Sequence, residues 1–218
     1  MTRNVLLSLS FCLLVLAGPL ASAAPILTVE NAPAQYVPGD TFCFYVTLAD
    51  AVDLASYNIE LVIAGDPAST PGSDYDVDSV LPEPPASCYV FGSTPQDKAN
   101  YLYAVNTEPN ALALTLSDFH DPDGDFNLDP VTTVADVNDC VAVVGVITDS
   151  AYTGPLTFSF DTSTLQLDNA DVQPIAGFDE VVASLAEWSL SINAVPEPAG
   201  LGLLSLPAIF LTRRRRAI

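Results

Sequence analysis

Positive charge is almost missing from this chain. Of 218 residues, six are Lys or Arg against 27 Asp or Glu and a single histidine, a formal net charge of −21. Five of the six basic residues stand at the two ends, Arg3 near the start and Arg213, Arg214, Arg215 and Arg216 near the finish, so Lys98 is alone between them. The stretch from Glu30 to Glu187 holds 26 acidic residues against that one lysine, a charge of −25. A body of this sign repels phosphate backbones and anionic headgroups, which excludes nucleic-acid binding and polybasic attachment to a membrane. The same repulsion opposes a compact fold unless cations screen or bind it, so divalent metal or a saline habitat is the natural compensation.

Histidine is the second scarcity. A Ser-His-Asp or Cys-His arrangement would have to use His120, which opens an aspartate-rich stretch and reads as a loop residue. Glycoside hydrolysis needs only a carboxylate pair, but the separation that defines such a pair is not a property of sequence. No catalytic residue is assigned, and a non-catalytic domain is the expectation. Disorder, the other reading of an acidic chain, is excluded by a hydrophobic content of 50% placed in regular runs.

Long apolar stretches occur only at the ends. Arg3 supplies a positive n-region, Val5 to Leu16 an apolar h-region of twelve residues, and Ala21, Ser22 and Ala23 a small-residue cleavage site. This is a leader for the Sec translocon, cut by signal peptidase after Ala23. A lipoprotein cysteine after the h-region is absent, because Cys12 lies inside it. At the other end Val195, Pro196, Glu197 and Pro198 precede thirteen largely apolar residues, Ala199 to Leu211, and then Arg213 to Arg216. A helix of thirteen residues rises about 20 Å against a hydrocarbon core of about 30 Å. Pro207, Gly200 and Gly202 weaken it further. It is a poor permanent anchor whose arginines nonetheless hold the extreme terminus in the cytoplasm, so its membrane insertion is transient.

Motif, short Gly/Leu-rich apolar segment and arginine cluster, in that order, resemble the PEP-CTERM sorting signal of bacterial exosortase substrates. The resemblance implies that a membrane-embedded exosortase recognises Pro196, Glu197 and Pro198, removes the tail, and leaves the domain at the cell surface or in the extracellular matrix. The organisation expected is a signal peptide over 1–23, an acidic ectodomain over 24–193 and the sorting signal, with its hydrophobic transmembrane helix, over 194–218.

Within the ectodomain, alternation of period two dominates. Phe42, Phe44, Val46 and Leu48 share one face, and Tyr57, Ile59, Leu61 and Ile63 repeat the pattern. Leu112, Leu114 and Leu116 follow it, as do Leu156, Phe158 and Phe160, then Trp188, Leu190 and Ile192. Cys140 to Ile147 is almost continuously apolar, as for a strand covered on both faces. Asp179 to Trp188 suits either a helix or a loop into the last strand. Short strands punctuated by turn residues predict a single all-β domain, an antiparallel β-sandwich. Val37, Pro38, Gly39, Asp40, Thr41 and Phe42 ahead of the first core strand resemble the opening of cohesin-like and carbohydrate-binding-module sandwiches. Asp66 to Ser87 and Ser117 to Asp139 read as two long polar insertions.

Two acidic alternations stand out in those insertions. Asp121, Asp123, Asp125 and Asn127, followed by Asp129, would present oxygens to one hard cation, and the spacing resembles the calcium loops of thrombospondin type 3 repeats. Phe126 departs from that pattern, which has a second glycine there. Calcium is the cofactor such a loop would take, and a solvated acidic loop without metal is the other reading. Asp74, Asp76 and Asp78 are a second candidate set that would lie on one face of a strand. Tyr89, Phe91, Tyr101 and Tyr103 either form an exposed row that stacks on sugars or pack into the core. Removal of the leader leaves Cys43, Cys88 and Cys140, an odd number, so one disulfide and one free thiol are expected, with the pairing open and a spacing unlike a zinc site.

The reading is an exported, exosortase-processed surface or exopolysaccharide-matrix protein with a non-catalytic acidic sandwich, whose candidate ligands are calcium or extracellular polysaccharide. The alternative is a secreted carbohydrate-binding module or carbohydrate-active enzyme that uses the same route.

Overall fold

The computed structural model describes residues 24–78, 89–91, 101–121, 123–125, 127–129 and 140–195. The leader, the motif from Pro196 onward, the apolar segment and the arginine cluster lie outside these residues. Within the described residues eleven strands and one helix follow in order: β1 Ile26–Glu30, β2 Gln35–Tyr36, β3 Thr41–Ala49, β4 Ser56–Ala64, β5 Tyr75–Asp78, β6 Leu102–Thr107, β7 Ala111–Phe119, β8 Cys140–Thr148, β9 Leu156–Phe160, β10 Gln166–Asp168, α1 Phe178–Leu185 and β11 Leu190–Ala194.

They form a two-layer β-sandwich. The smaller sheet has the order β1-β3-β8-β5, and the larger runs β2-β11-β9-β4-β7-β6, with β10 also on β4. One edge of β4 is shared: β10 pairs with Ser56 to Asn58 and β9 with Leu61 to Ala64. Every pair between strands is antiparallel except β2 with β11, which is parallel over two residues. That exception carries the chain's exit from the sheet.

The apolar positions of period two fill the space between the layers. Phe44, Val46 and Leu48 of the small sheet and Ile59, Leu61 and Ile63 of the large one are fully buried. Phe44 meets Phe158 edge-on across the layers at 5.1 Å. Burial of each such side chain contributes about 2–3 kcal/mol, and strands with one wet face need that contribution to persist. Pro38 and Gly39 turn the chain into β3, with Asp40 N–H donating to the Val37 carbonyl at 3.0 Å and Gly39 at φ 89°.

The structure departs from the sequence reading at several places. Both polar insertions are shorter than expected. β5 lies inside the first, with Tyr75 and Val77 turned inward and Asp76 and Asp78 outward, an acidic edge strand that water can solvate. The second begins after Phe119, because β7 pairs with β4 along its full length. β8 is covered on both faces only in part, since Ile147 is 43% exposed opposite Asp76. The ambiguous segment near the end is a helix, α1, entered through Gly177 at φ 82° with no side-chain cap. Gly177 is required there: a Cβ would stand 2.6 Å from Pro25 Cδ and 3.2 Å from Ala24 Cα. Trp188 precedes β11 and packs on Phe160 at 5.0 Å. Among the described residues no helix is long and apolar enough to cross a membrane.

Candidate metal centre

The acidic loop hangs from the end of β7. His120 N–H donates to the Ala55 carbonyl at 2.8 Å, which ties the loop's entry to the chain ahead of β4. Its exit is closed on the same residue: Asp129 N–H donates to the His120 carbonyl at 3.0 Å, and His120 Nδ1 lies 2.8 Å from the Asp129 carbonyl oxygen. A carbonyl only accepts, so Nδ1 carries the proton. The imidazole stacks on Phe91 at 5.4 Å. His120 thus serves as a structural clasp, in line with its reading as a loop residue.

Inside the clasp the chain winds around Asp121, which is 3% exposed. Its Oδ1 accepts the N–H groups of Gly124 at 2.9 Å and Asp125 at 3.0 Å. Asp123 Oδ1 accepts Asp125 N–H at 3.2 Å, and Asp125 accepts from both the backbone and side-chain nitrogens of Asn127. Gly124, at φ 75°, supplies the left-handed step that lets the alternating aspartates fold back on themselves. The two Asn127 donors, backbone first, hold the Asp125 carboxyl below its usual range and so keep it charged.

Ligand oxygens of Asp121, Asp123 and Asp125 lie within 4.8 Å of one another. Each such pair of like charges repels by about 1 kcal/mol even at the dielectric constant of water. A hard cation between them would remove that cost, with water and carbonyl oxygens completing the six to eight ligands calcium takes. Of the five predicted ligands the fold therefore brings three together. Asn127 is engaged with Asp125, and Asp129 closes the loop through its backbone.

The second acidic set does not assemble. Among the described residues no metal-sized group includes Asp74, Asp76 or Asp78. Asp74 caps the Thr70 N–H at 2.6 Å and Asp76 the N–H of Val77 at 2.8 Å. The aromatic row is also not a sugar platform: Tyr89 and Phe91 are 4% and 3% exposed, and Tyr101 packs edge-on against Tyr89. Only Tyr103 reaches the surface, at 38%.

Beneath the loop lies a polar network that the sequence reading missed. Asp118 is buried, accepts Phe119 N–H at 2.8 Å on Oδ1, and receives the Tyr89 hydroxyl on Oδ2, which in turn lies 3.0 Å from the Tyr57 hydroxyl. Burial pushes Tyr57, Tyr89 and Tyr101 above the usual phenol range, and Asp118 adds to the shift in each. A signal was present, because 118 continues the inward register of Leu112, Leu114 and Leu116. Of the cysteines, Cys140 is disulfide-bonded and Cys43 is free and exposed on β3, so Cys43 leaves the set of candidate pairs. Cys88 lies outside the described residues, and the pairing of Cys140 is not assigned.

Charge is unevenly spread over the sandwich. The outer face of the large sheet presents residues such as Val62, Ala64, Thr115 and Ser159, and its acidic residues are Glu60 and, at one end, Asp168. Burial, then Asp161 and Glu108, raise the Glu60 carboxyl above its usual value.

These features define an acidic two-sheet β-sandwich with a carboxylate-lined loop at one end. No family model matches the chain, and no curated protein matches it. Among solved structures it is similar to cohesin domains. The cohesin CaCohA2 from Clostridium acetobutylicum, in solution, has 23% identity over 80% of this chain and 93% of its own, with a TM-score of 0.49. A crystallised complex of CaCohA2 with a variant of CaDoc0917 gives 20% identity over 79% and 100%, again with a TM-score of 0.49. A non-cellulosomal cohesin from the archaeon Archaeoglobus fulgidus gives 12% over 70% and 83%, with a TM-score of 0.38. At these values the sandwich stands on the chain's own strand pairing.

Proposed function

We propose that this protein is exported through the Sec translocon, freed of its leader after Ala23, held at the membrane by its C-terminal segment, and processed by an exosortase at Pro196, Glu197 and Pro198. The product is a non-catalytic cell-surface or matrix protein whose acidic sandwich takes up calcium. One observation carries the cargo's part of this reading: Asp121, Asp123 and Asp125 place ligand oxygens within 4.8 Å of one another, around a buried Asp121. The route rests on the sequence of the two ends. Burial of Tyr89 and Phe91 weakens the alternative of a carbohydrate-binding module, and the engagement of His120 in the loop's clasp supports a non-enzyme.

Two measurements test it. Intact mass of the surface-released protein should show a species starting at Ala24 and lacking Arg213 to Arg216; a released species that retains the arginines would overturn the processing. Calcium should raise the melting temperature at constant ionic strength. A protein indifferent to calcium and chelator alike would remove the cation from the reading.

A second reading, attachment to a protein of the matrix through the outer face of the large sheet, is favoured by the charge distribution. That face opposes an approaching surface least. Thr115→Glu with Ser159→Glu should then release the domain from isolated matrix without altering its calcium-dependent melting, and retention of the double variant would refute it.

A further inference from the structure

The chain leaves the sandwich at a fastened point. Val195 N–H donates to the Tyr36 carbonyl at 2.7 Å, one step past the parallel pairing of β11 with β2. Tyr36 is itself buried, its hydroxyl donates to the Gly154 carbonyl, and its ring stacks between Phe42 and Tyr152 at 6.0 and 6.3 Å. Three residues, Pro196, Glu197 and Pro198, separate Val195 from Ala199, where the apolar segment begins. Four peptide steps span at most about 15 Å in any conformation.

Strand directions identify which end this is. Thr148 N–H donates to the Asp40 carbonyl at 3.2 Å, Asp149 N–H to the Asp74 carbonyl at 2.8 Å, and Asp66 N–H to the Tyr152 hydroxyl at 3.2 Å, so the turns at 37–40, 65–74 and 149–154 gather beside Val195. The acidic loop is at the other end, where Ser56 pairs with Phe119 and His120 bonds to Ala55. β4 runs between the two ends in nine residues, about 30 Å.

We infer that before its tail is removed the protein stands on the membrane on its Tyr36–Val195 end, with the acidic loop at 120–129 on the far end, facing away from the bilayer. This rests on the reading of the C-terminal segment as membrane-held. The orientation presents the cation loop outward while the precursor is still tethered. Among the described residues Val37, Ile147 and Val195 are the exposed large apolar side chains at the membrane-facing end, accompanied by the exposed carboxylates Asp40 and Asp149. Those charges oppose adhesion to anionic lipid, so the tail alone holds this end down and its removal lets the domain go.

The test uses the leaderless precursor with its tail intact, in phosphatidylcholine vesicles carrying a headgroup-linked energy acceptor. A donor on Cys43, free and exposed two residues into β3 beside the tethered end, is compared with one at the far end, on Asp171→Cys in a Cys43→Ser background. With a 30 Å offset, transfer from Cys43 should exceed that from position 171 by more than about twofold. A flexible linker of about twelve Gly and Ser residues between Val195 and Pro196 should erase the difference. Equal transfer without the linker overturns the orientation while leaving the tail reading intact. Failure of the precursor to associate with vesicles overturns the tail reading, and the orientation with it.

Discussion

Asp121 is the residue around which the acidic loop turns, and its two neutral replacements separate a structural role from a cation-binding one. Asp121→Ala removes the acceptor of two backbone bonds, from Gly124 at 2.9 Å and Asp125 at 3.0 Å. Bonds to a charged acceptor contribute about 1.5–3 kcal/mol each when both groups are buried. Gly124 and Asp125 are exposed and their freed donors can find water, so each bond counts for less, about 1–1.5 kcal/mol. A loss of about 2–3 kcal/mol corresponds to a melting temperature lower by roughly 5–10 °C for a domain of this size. That drop should appear with calcium or with chelator. Asp121→Asn keeps Oδ1 as an acceptor and removes the charge. In chelator it should melt within about 2 °C of the parent, since a neutral bond replaces a charge-assisted one at a partly wet site. In calcium the two should diverge. At a concentration 100 times its dissociation constant, calcium stabilises the parent by about 2.7 kcal/mol, and the Asn variant, with one of three clustered carboxylates gone, should keep a small part of this. Melting followed by circular dichroism, with sodium chloride added to match ionic strength, is the assay. The control is essential because any salt relieves repulsion in a body with 26 acidic residues and one lysine. An equal calcium gain in parent and Asn variant, or a gain reproduced by sodium chloride, would refute the site.

Other outcomes follow from the geometry. Val172 holds φ 57° while 62% exposed, a strained position for a β-branched residue, so Val172→Gly or Val172→Asn should raise stability by about 1 kcal/mol in urea unfolding; an unchanged midpoint would mean the strain is absent. Gly65→Ala would place a Cβ 2.2 Å from Ser69 Oγ, 2.6 Å from Tyr75 Cε1 and 2.8 Å from the Tyr152 hydroxyl, displacing phenols that accept the Gly65 and Asp66 N–H groups. A loss of about 3 kcal/mol or more is expected in the same assay, and a loss below about 1 kcal/mol would count against the packing described. Alkaline stability should fail through the tyrosines. Burial above all raises Tyr36, Tyr57, Tyr75, Tyr89, Tyr101 and Tyr152 above the ordinary value of 10.0. The folded state keeps these phenols neutral while the unfolded chain ionises them, so their contribution is full below pH 10 and declines as pH rises above it. Phenolate absorbance should therefore grow together with loss of circular dichroism; ionisation of all six near pH 10 with the fold intact would contradict their burial.

Much of the fold was legible because a half-buried strand must alternate, and the alternation survives in the sequence whatever the strand pairs with. Phe44, Val46 and Leu48 on β3, Ile59, Leu61 and Ile63 on β4 and Leu112, Leu114 and Leu116 on β7 announced their inward faces directly. The turn at Pro38 and Gly39 was equally plain, since fixed proline geometry and a left-handed glycine are local requirements. β5 was hidden because an acidic edge strand solvates its outer face and resembles a loop, and Asp118 because a carboxylate in the inward register is readable only once Tyr89 is known to meet it.

The sequence by itself determined the sandwich's inward faces and turns, for these depend on residues one to four positions apart. Tertiary structure decided which of many like-charged residues act together. It gathered Asp121, Asp123 and Asp125, engaged Asn127 elsewhere, kept Asp74, Asp76 and Asp78 apart, put Tyr89 and Phe91 inside, and left Cys43 free while Cys140 is bonded. It also set the acidic loop and Val195 at opposite ends of β4. Convergence in space depends on the path of strands far apart in the chain, and in a chain this rich in aspartate composition offers no way to tell a solvated carboxylate from one that has been brought to a site.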